Sequence, residues 1–265
     1  MAALTPMMAQ YMEVKNQYKD CILFYRLGDF YEMFFDDALT ASRELEITLT
    51  GRDCGQEERA PMCGVPYHAC DIYLNKLIEK GYKVAICEQM EDPKLAKGIV
   101  KREVIRIVTP GTNMSQAILD ETRNNYLMCI FGCNDEYGVA VCDITTGEFR
   151  SCHISSTSKL YDEINKYSPT EIIGNGTFLS CDLNFDYMKE KMKITISEAP
   201  SHYFNDDTCE DFIKRQFKVG SIDGLGIDEQ EDMLLSAGAL LQYLHETQKL
   251  SLIHISEPTR LDVIS

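Results

Sequence analysis

The sequence contains no tryptophan and lacks three patterns that would each indicate a class of protein. No apolar run approaches the roughly 18 residues of a membrane span, and charges within the first thirty residues argue against a secretory signal. We therefore expect a cytoplasmic protein with no membrane contact. None of the 11 cysteines forms a C-x-x-C pair, which predicts reduced core thiols rather than disulfides or a metal site. The ATP-binding pattern G-x-x-x-x-G-K-[ST] is also missing, so no cofactor is expected for this chain.

What the sequence does contain is enough apolar material for two domains and an uneven distribution of charge. At 265 residues and 45% hydrophobic composition, the chain can bury a core in each of two domains of ordinary size. Residues 1–115 carry 14 Lys and Arg against 17 Asp and Glu, whereas residues 116–265 carry 12 against 25. A near-neutral first half can present a basic face to nucleic acid, while the acidic second half would repel phosphate and suits contacts with proteins.

Periodicity in the first half predicts a small mixed α/β unit. Thr5 suits the N-cap of a first helix and Pro6 its first helical position. Asp36 and Asp37 suit the positive N-terminus of a second helix. Residues 50–69 are dense in Gly, Pro and charge and are predicted to be largely loop. The predicted elements are helices over 4–18, 36–47 and 70–81 and strands over 21–27, 30–34, 82–89 and 103–111.

The second half is predicted to be an α/β domain with a mixed sheet. Three strand-like runs joined by short turns suggest an antiparallel meander, and alternating helix and strand signals follow it. A long helix with an apolar stripe ends this part of the chain. The predicted strands are 126–133, 137–145, 147–155, 171–175 and 193–198, and the predicted helices are 158–168, 183–192 and 227–250.

The stretch GDFYEMF, residues 28–34, places contradictory side chains on one face of a predicted strand. Alternation aims Phe30, Glu32 and Phe34 to one face and Tyr31 and Met33 to the other. An aromatic ring favours burial and a carboxylate favours water, so core packing alone does not explain this face. For an arbitrary F-x-E, a core Phe beside an exposed Glu on an edge strand is the ordinary interpretation.

Four blocks of sequence together resemble one family. GDFYEMF, APMCGVPYHA, VAICEQMEDP and REVIRIVTPGT, in this order and spacing, are similar to the first part of the MutS family of bacterial DNA mismatch-recognition proteins. The resemblance implies an α/β fold in several parts. These are a small mixed-sheet mismatch-binding domain over 1–115, a linker over 116–126, an RNase H-like connector domain over 127–226 and the start of a helical core or lever region over 227–250.

The resemblance covers only part of a MutS protein. The family's clamp, its ATPase and its dimerising C-terminus have no counterpart in this sequence. We therefore expect a fragment that is not itself an enzyme, from a larger homodimeric protein that uses ATP and Mg. Residues 251–265 do not continue the apolar helical pattern and resemble a translated sequencing adapter, so we assign this tail no function.

The resemblance also implies roles for particular residues. In the family, the Phe of the motif enters the minor groove and stacks on the mispaired base, and the Glu hydrogen-bonds that base; these roles fall to Phe30 and Glu32. Arg52 matches a basic position near the DNA backbone, and Met62 lies where a loop approaches the lesion. A solvated Arg52 and a core-packed Met62 are the alternatives. The implied partners are mismatched double-stranded DNA and a MutL-type protein.

Two other functions remain open from the sequence. A protein-interaction fragment without its own DNA binding is one alternative. The other is a metal nuclease, because Asp143, Glu148 and Asp162 resemble the carboxylates with which RNase H-like nucleases hold divalent metals, although the MutS connector keeps that fold without the catalytic set. Surface cations could supply phosphate contacts, and the candidates are Lys76, Lys80, Lys83, Lys97, Lys101 and Arg102.

Overall fold

The computed structural model describes residues 4–91, 98–113, 124–227 and 230–248. Contacts within the chain divide it into two compact units, the first over residues 1–118 with 248–250 and the second over residues 119–247 with 251–265, and each is described by itself. Most of the predicted linker, the whole predicted tail and Lys97 lie outside the described residues. No helix in the described ranges is both long and apolar enough to cross a membrane.

The first unit is a six-stranded mixed sheet with helices on both faces. Its elements are α1 (Pro6–Gln17), β1 (Cys21–Leu27), β2 (Phe30–Phe34), α2 (Phe35–Leu45), β3 (Thr50–Arg52), β4 (Ala60–Pro66), α3 (Cys70–Glu79), β5 (Lys83–Gln89) and β6 (Arg102–Val108). The strand order is β3-β4-β2-β1-β5-β6. Strands β1 and β5 are parallel, and the other neighbours are antiparallel. The expected mixed α/β class is confirmed.

Each face of this sheet has its own core. On one face, α2 and α3 pack against residues that include Tyr31 and Met33 of β2. On the other face, Tyr11 of α1 packs edge-on against Tyr25 and Phe34, with ring centroids 5.3 and 5.0 Å away. Because β2 contributes to both cores, its position in the sheet is fixed from both sides.

A buried carboxylate joins three elements of the first unit. Asp37, predicted at the N-terminus of a helix, lies in the first turn of α2. It accepts hydrogen bonds from Lys15 at 2.8 Å, from the backbone N–H of Leu23 at 3.0 Å and from the Tyr11 hydroxyl at 3.2 Å. A buried charge is tolerated when it is paired and hydrogen-bonded in this way, so Asp37 ties α1, β1 and α2 together.

The prediction that residues 50–69 are largely loop is wrong. This segment contains β3, β4 and a 3-10 turn at Tyr67–Ala69. Strand β4 lies between β2 and β3, and its Cys63 and Val65 side chains are fully buried in the core. Pro66 ends the strand, where a missing N–H costs little. Pairing on both sides of β4 outweighs the weak local preference of a Gly- and Pro-rich sequence for strand.

The second unit is a five-stranded mixed sheet, also covered by helices on both faces. Its elements are β7 (Tyr126–Cys133), β8 (Glu136–Asp143), β9 (Glu148–Ile154), α4 (Thr157–Tyr167), β10 (Glu171–Gly174), α5 (Gly176–Leu179), α6 (Phe185–Glu190), β11 (Thr195–Glu198), α7 (Asp206–Phe217) and α8 (Glu231–Gln248). The order is β11-β10-β7-β8-β9. The predicted antiparallel meander of β7, β8 and β9 is confirmed, and β10 and β11 continue the sheet in parallel with β7.

The long predicted helix belongs to the second unit. The sequence predicted a helix over 227–250, and α8 packs its apolar side chains into the core formed by β7, β8 and α7. A Cβ added to Gly238 would collide with the Cα and Cβ of Cys209 on α7, so this glycine permits the two helices to approach closely. The stripe of apolar residues on α8 is therefore accounted for by packing within this unit.

Candidate nucleic-acid interface

A two-residue turn places Phe30 at the tip of a hairpin. Leu27 of β1 pairs with Phe30 of β2 at the end of the ladder, which leaves Gly28 and Asp29 as the turn. Gly28 has a φ of +59°, a left-handed conformation that glycine adopts without steric cost. Both flanking strands are anchored in a packed sheet, so the tip is a fixed projection of that sheet.

Burial increases along the face of β2 that carries Phe30, Glu32 and Phe34. Phe30 is 46% exposed at the tip, Glu32 is half-buried, and Phe34 is 1% exposed in the core beneath α1. Tyr31 and Met33, on the opposite face, are both buried. The core therefore uses only the inner end of this face, and a large aromatic ring is left in solvent at its outer end.

Glu32 and Arg52 form an ion pair. The Nη1 of Arg52 donates to Oε2 of Glu32, and the two side chains are 38% and 16% exposed respectively. Strand pairing puts both residues on one face of the sheet, with Glu32 opposite Gly64 and Arg52 opposite Ala60 of β4. The long Arg52 side chain covers the remaining distance along β4, with its guanidinium carbon 6.0 Å from the Phe34 ring centroid. The family resemblance implied a position for Arg52 near the DNA backbone; the structure brings it to the predicted base-contacting carboxylate.

Met62 lies on the same face, between Phe34 of β2 and Thr50 of β3. It is half-buried and packs against the core beneath α1. Gly64, opposite Glu32, has no side chain there, and a Cβ added to it would lie 3.5 Å from Cγ of Glu32. The structure therefore brings Phe30, Glu32, Arg52 and Met62 to one face of the sheet, with Met62 toward the interior.

Hydrogen bonding behind the tip fixes the opposite face of β2. The Tyr31 hydroxyl donates to the carboxylate of Glu88 on β5. Burial, together with the neighbouring Glu88, raises the pKa of Tyr31 above its usual range, so the hydroxyl remains a donor at physiological pH. Arg26 donates from Nε to the carbonyl of Gly28 at 2.5 Å and lies 3.7 Å from Glu88. These contacts hold the turn and the first residues of β2 in place.

Three of the six proposed phosphate-contacting cations are paired with carboxylates. Lys80 is 3.0 Å from Glu44, Lys83 is 3.7 Å from Asp20, and Lys101 is 2.6 Å from Glu103. Lys76, on α3, is exposed, with its Nζ 6.0 Å from the ring of Tyr73.

Arg102 differs from these lysines because its side chain is used inside the fold. The residue is 9% exposed and donates to the carbonyl of Arg26 at 2.8 Å and to Gln10 at 3.0 Å. Its guanidinium also lies 5.0 Å from the centroid of the Tyr25 ring. The suggestion that Arg102 contacts phosphate is therefore not supported by its position.

The carboxylates of the second unit do not assemble a metal site. Asp143 is fully buried, and its Oδ1 accepts hydrogen bonds from the backbone N–H of Thr145 at 2.9 Å and from its hydroxyl at 2.6 Å. Glu148 pairs with Arg150 and accepts from Tyr126 at 3.0 Å. Within the described ranges, no group of three His, Cys, Asp or Glu side chains could hold a metal ion.

Sequence reasoning missed two residues at the tip, Tyr67 and Arg26. Tyr67 is exposed, and the Arg26 guanidinium lies over its ring. The signal available was the GVPYHA stretch, in which an aromatic residue follows a proline directly after an apolar run. Because that segment was predicted as loop, nothing placed Tyr67 beside the hairpin.

Comparison with protein families divides the chain at the same place as its contacts do. The family model described as MutS domain I matches residues 5–117, and the model described as MutS domain II matches residues 125–256. The first match includes all four predicted site residues, Phe30, Glu32, Arg52 and Met62. Helix α8 lies within the second match.

Curated relatives agree with these matches along nearly the whole chain. A DNA mismatch repair protein MutS of Lachnoclostridium phytofermentans is 59% identical over 98% of this chain and 28% of its own length. The MutS proteins of Acetivibrio thermocellus and Ruminiclostridium cellulolyticum are 56% and 52% identical over 96% and 97% of this chain, and each is covered over 29% of its length. The chain thus spans less than a third of the curated relatives it matches.

Proposed function

The chain belongs to the MutS family of DNA mismatch repair proteins, and we propose that its first unit recognises mismatched duplex DNA with Phe30 and Glu32. Phe30 enters the minor groove and stacks on the mispaired base, and Glu32 accepts a hydrogen bond from that base. The observation that carries this proposal is the exposed ring of Phe30 at the tip of a hairpin whose other residues are anchored in a core.

The physics of a wedge explains how such a tip can select damaged pairing. Inserting an apolar side chain between base steps costs a few kcal/mol of unstacking, and the cost is lowest where pairing is already disturbed. Stacking of a base on an aromatic ring returns about 1–3 kcal/mol and is similar for every base. Discrimination therefore comes from how easily the duplex deforms at the lesion rather than from the identity of the base.

The ion pair with Arg52 supports the role of Glu32. A bare carboxylate near DNA is repelled by phosphates within a Debye length of about 8 Å at physiological salt. Arg52 offsets that repulsion while Glu32 keeps its second oxygen for a base N–H. In correctly paired DNA the Watson–Crick N–H groups are already bonded to the opposite base, so the carboxylate penalises matched duplex and favours the lesion. Arg52 acts in this way through Glu32, and any backbone contact would come in addition.

The second unit is proposed as an RNase H-like connector that contacts other parts of a larger protein and a MutL-type partner. Its acidic composition favours protein surfaces over phosphate. Homodimer formation and the use of ATP and Mg are proposed for the whole protein, and a cytoplasmic location is proposed with them. For this chain alone we propose no enzymatic activity and no cofactor. A protein-interaction fragment that does not bind DNA is the second candidate, since the second unit could act without the first.

A duplex titration distinguishes the two candidates. The 265-residue chain is titrated at low salt into fluorescently labelled duplexes that differ only by one mispair, and Phe30→Ala is titrated beside it. Tighter binding to the mispaired duplex, lost in Phe30→Ala, supports mismatch recognition. Equal affinity for both duplexes, or no binding to either, contradicts it and favours the interaction fragment.

A further inference from the structure

A second exposed aromatic residue lies beside the hairpin tip. Tyr67 follows β4 directly and is 46% exposed. Its backbone N–H donates to the carbonyl of Asp29 at 2.9 Å, one residue beyond the pairing of Phe30 with Pro66. This bond continues the β2–β4 ladder to the turn. Tyr67 is therefore tied to the same projection that carries Phe30.

The ring of Tyr67 is held from the side, although it is exposed. The guanidinium carbon of Arg26 lies 3.8 Å from the ring centroid, and the His68 ring meets it edge-on at 5.9 Å. A stacked guanidinium at this distance is a favourable cation–π contact. Arg26 also bonds the carbonyl of Gly28, so one side chain fixes both the turn and the Tyr67 ring.

Tyr67 and Phe30 flank the tip from opposite faces of the sheet. Arg26 is the strand partner of Tyr31, whose side chain points away from the face of Phe30. Within the described part of the chain, the Tyr67 hydroxyl makes no hydrogen bond, although its ring is fixed. A ring that is held in place at the exposed tip, with its hydroxyl unbonded, can donate a hydrogen bond to a ligand.

We propose that Tyr67 is a second DNA contact, whose hydroxyl donates to a phosphate oxygen of the strand beside the wedge. The proposal rests on the proposed function, because insertion of Phe30 brings the tip into a groove about 6 Å wide, where the opposite face of the tip meets the backbone. Tyrosine is among the side chains that contact phosphate, and such contacts position a protein without reading sequence. The contact thus adds affinity for matched and mismatched duplex alike.

Arg26 acts as a positioning residue in this arrangement. Its charge is shared with Glu88, 3.7 Å away, and its side chain is only 16% exposed, so it orients the ring rather than binding phosphate itself. The contribution of Tyr67 is then a hydrogen bond from a neutral donor to a charged phosphate. Removing it should lower affinity without changing the dependence of affinity on salt, because no counterion-releasing cation is lost.

The test is the Tyr67→Phe variant of the 265-residue chain, which keeps the ring and its contact with Arg26. Tyr187→Phe is the matched control, since Tyr187 is 47% exposed in the second unit. We expect Tyr67→Phe to weaken binding to mismatched and matched duplexes equally, by about 12- to 160-fold, the range for one hydrogen bond to a charged group. Thermal melting and the salt slope should match those of the wild type.

The outcomes separate this inference from the proposed function. If Tyr67→Phe binds both duplexes as tightly as Tyr187→Phe does, while Phe30→Ala loses its mismatch preference, the Tyr67 contact is overturned. Mismatch recognition is then still supported. Loss of affinity for the mispaired duplex alone overturns the phosphate contact, because it places Tyr67 at the lesion. An equal loss on both duplexes supports the contact even if the wild type shows no mismatch preference, which contradicts the proposed function only. Absence of any duplex binding overturns both.

Discussion

Replacing Phe30 by alanine separates recognition from packing, because Phe34 on the same strand face provides a matched control. Phe30 is 46% exposed, whereas Phe34 is 1% exposed beneath α1. Truncating a fully buried Phe costs about 3–5 kcal/mol through lost burial and the cavity left behind. Phe34→Ala should therefore unfold at a clearly lower denaturant concentration than the wild type.

Phe30→Ala should behave in the opposite way. Nearly half of the ring is already in water, and it lies at the end of β2, so little burial is lost and no enclosed cavity forms. We expect a stability loss well below the roughly 3–5 kcal/mol of a core phenylalanine. The loss of stacking should instead remove about 1–3 kcal/mol of mismatch affinity, or roughly 5- to 150-fold.

The assay pairs urea unfolding of both variants with titration of mispaired and matched duplexes. The predicted pattern is a stable Phe30→Ala that binds both duplexes equally and a destabilised Phe34→Ala that keeps its preference while folded. A Phe30→Ala chain that unfolds as easily as Phe34→Ala, or that keeps the preference for the mispair, would refute the assignment of Phe30 as the wedge.

Three further predictions use other parts of the structure. Glu32→Gln frees Arg52 and removes a repelling charge, so matched-duplex affinity should hold or rise while discrimination falls; a drop in matched-duplex affinity would argue against this role. Gly238→Ala should destabilise the second unit by about 1–3 kcal/mol through overpacking between α7 and α8, and Gly220→Ala, which meets open space, should not; equal melting temperatures would contradict the packing. Cys133 is exposed, whereas burial raises the pKa of most of the other thiols, so Cys133→Ser should abolish the fast phase of thiol labelling at pH 8; a persisting fast phase would count against the described burial.

Strong local patterns predicted much of the fold. Strands β1, β2, β7, β8 and β9 were predicted because each carries a run of apolar residues between turn residues. Helix α7 was missed although Asn205 caps its N-terminus, with Asp206 and Asp207 in the first turn. Its apolar residues are few, but Cys209, Ile213 and Phe217 recur at helical spacing, so the capping signal and a short apolar stripe were both present and were overlooked.

The candidate site shows where sequence reasoning stops. Alternation predicted the face shared by Phe30 and Glu32, but exposure at one end and burial at the other depend on where α1 covers the sheet. The pairing of Arg52 with Glu32 could not be predicted while 50–69 was taken for loop, because the contact follows from the register of β3, β4 and β2. The position of Tyr67 was hidden for the same reason.

Site-specific cross-linking tests the central claim, that Phe30 meets the mispaired base, most directly. A photoreactive benzoylphenylalanine is placed at position 30 of the 265-residue chain, and at Tyr187 as an equally exposed control in the second unit. The chain is irradiated with a duplex carrying one mispair at a known position. The account predicts cross-links from position 30 that concentrate at the mispaired base and decline in the matched duplex, and none with that pattern from position 187. Cross-links from position 30 spread evenly along both duplexes, or absent from both, would contradict it.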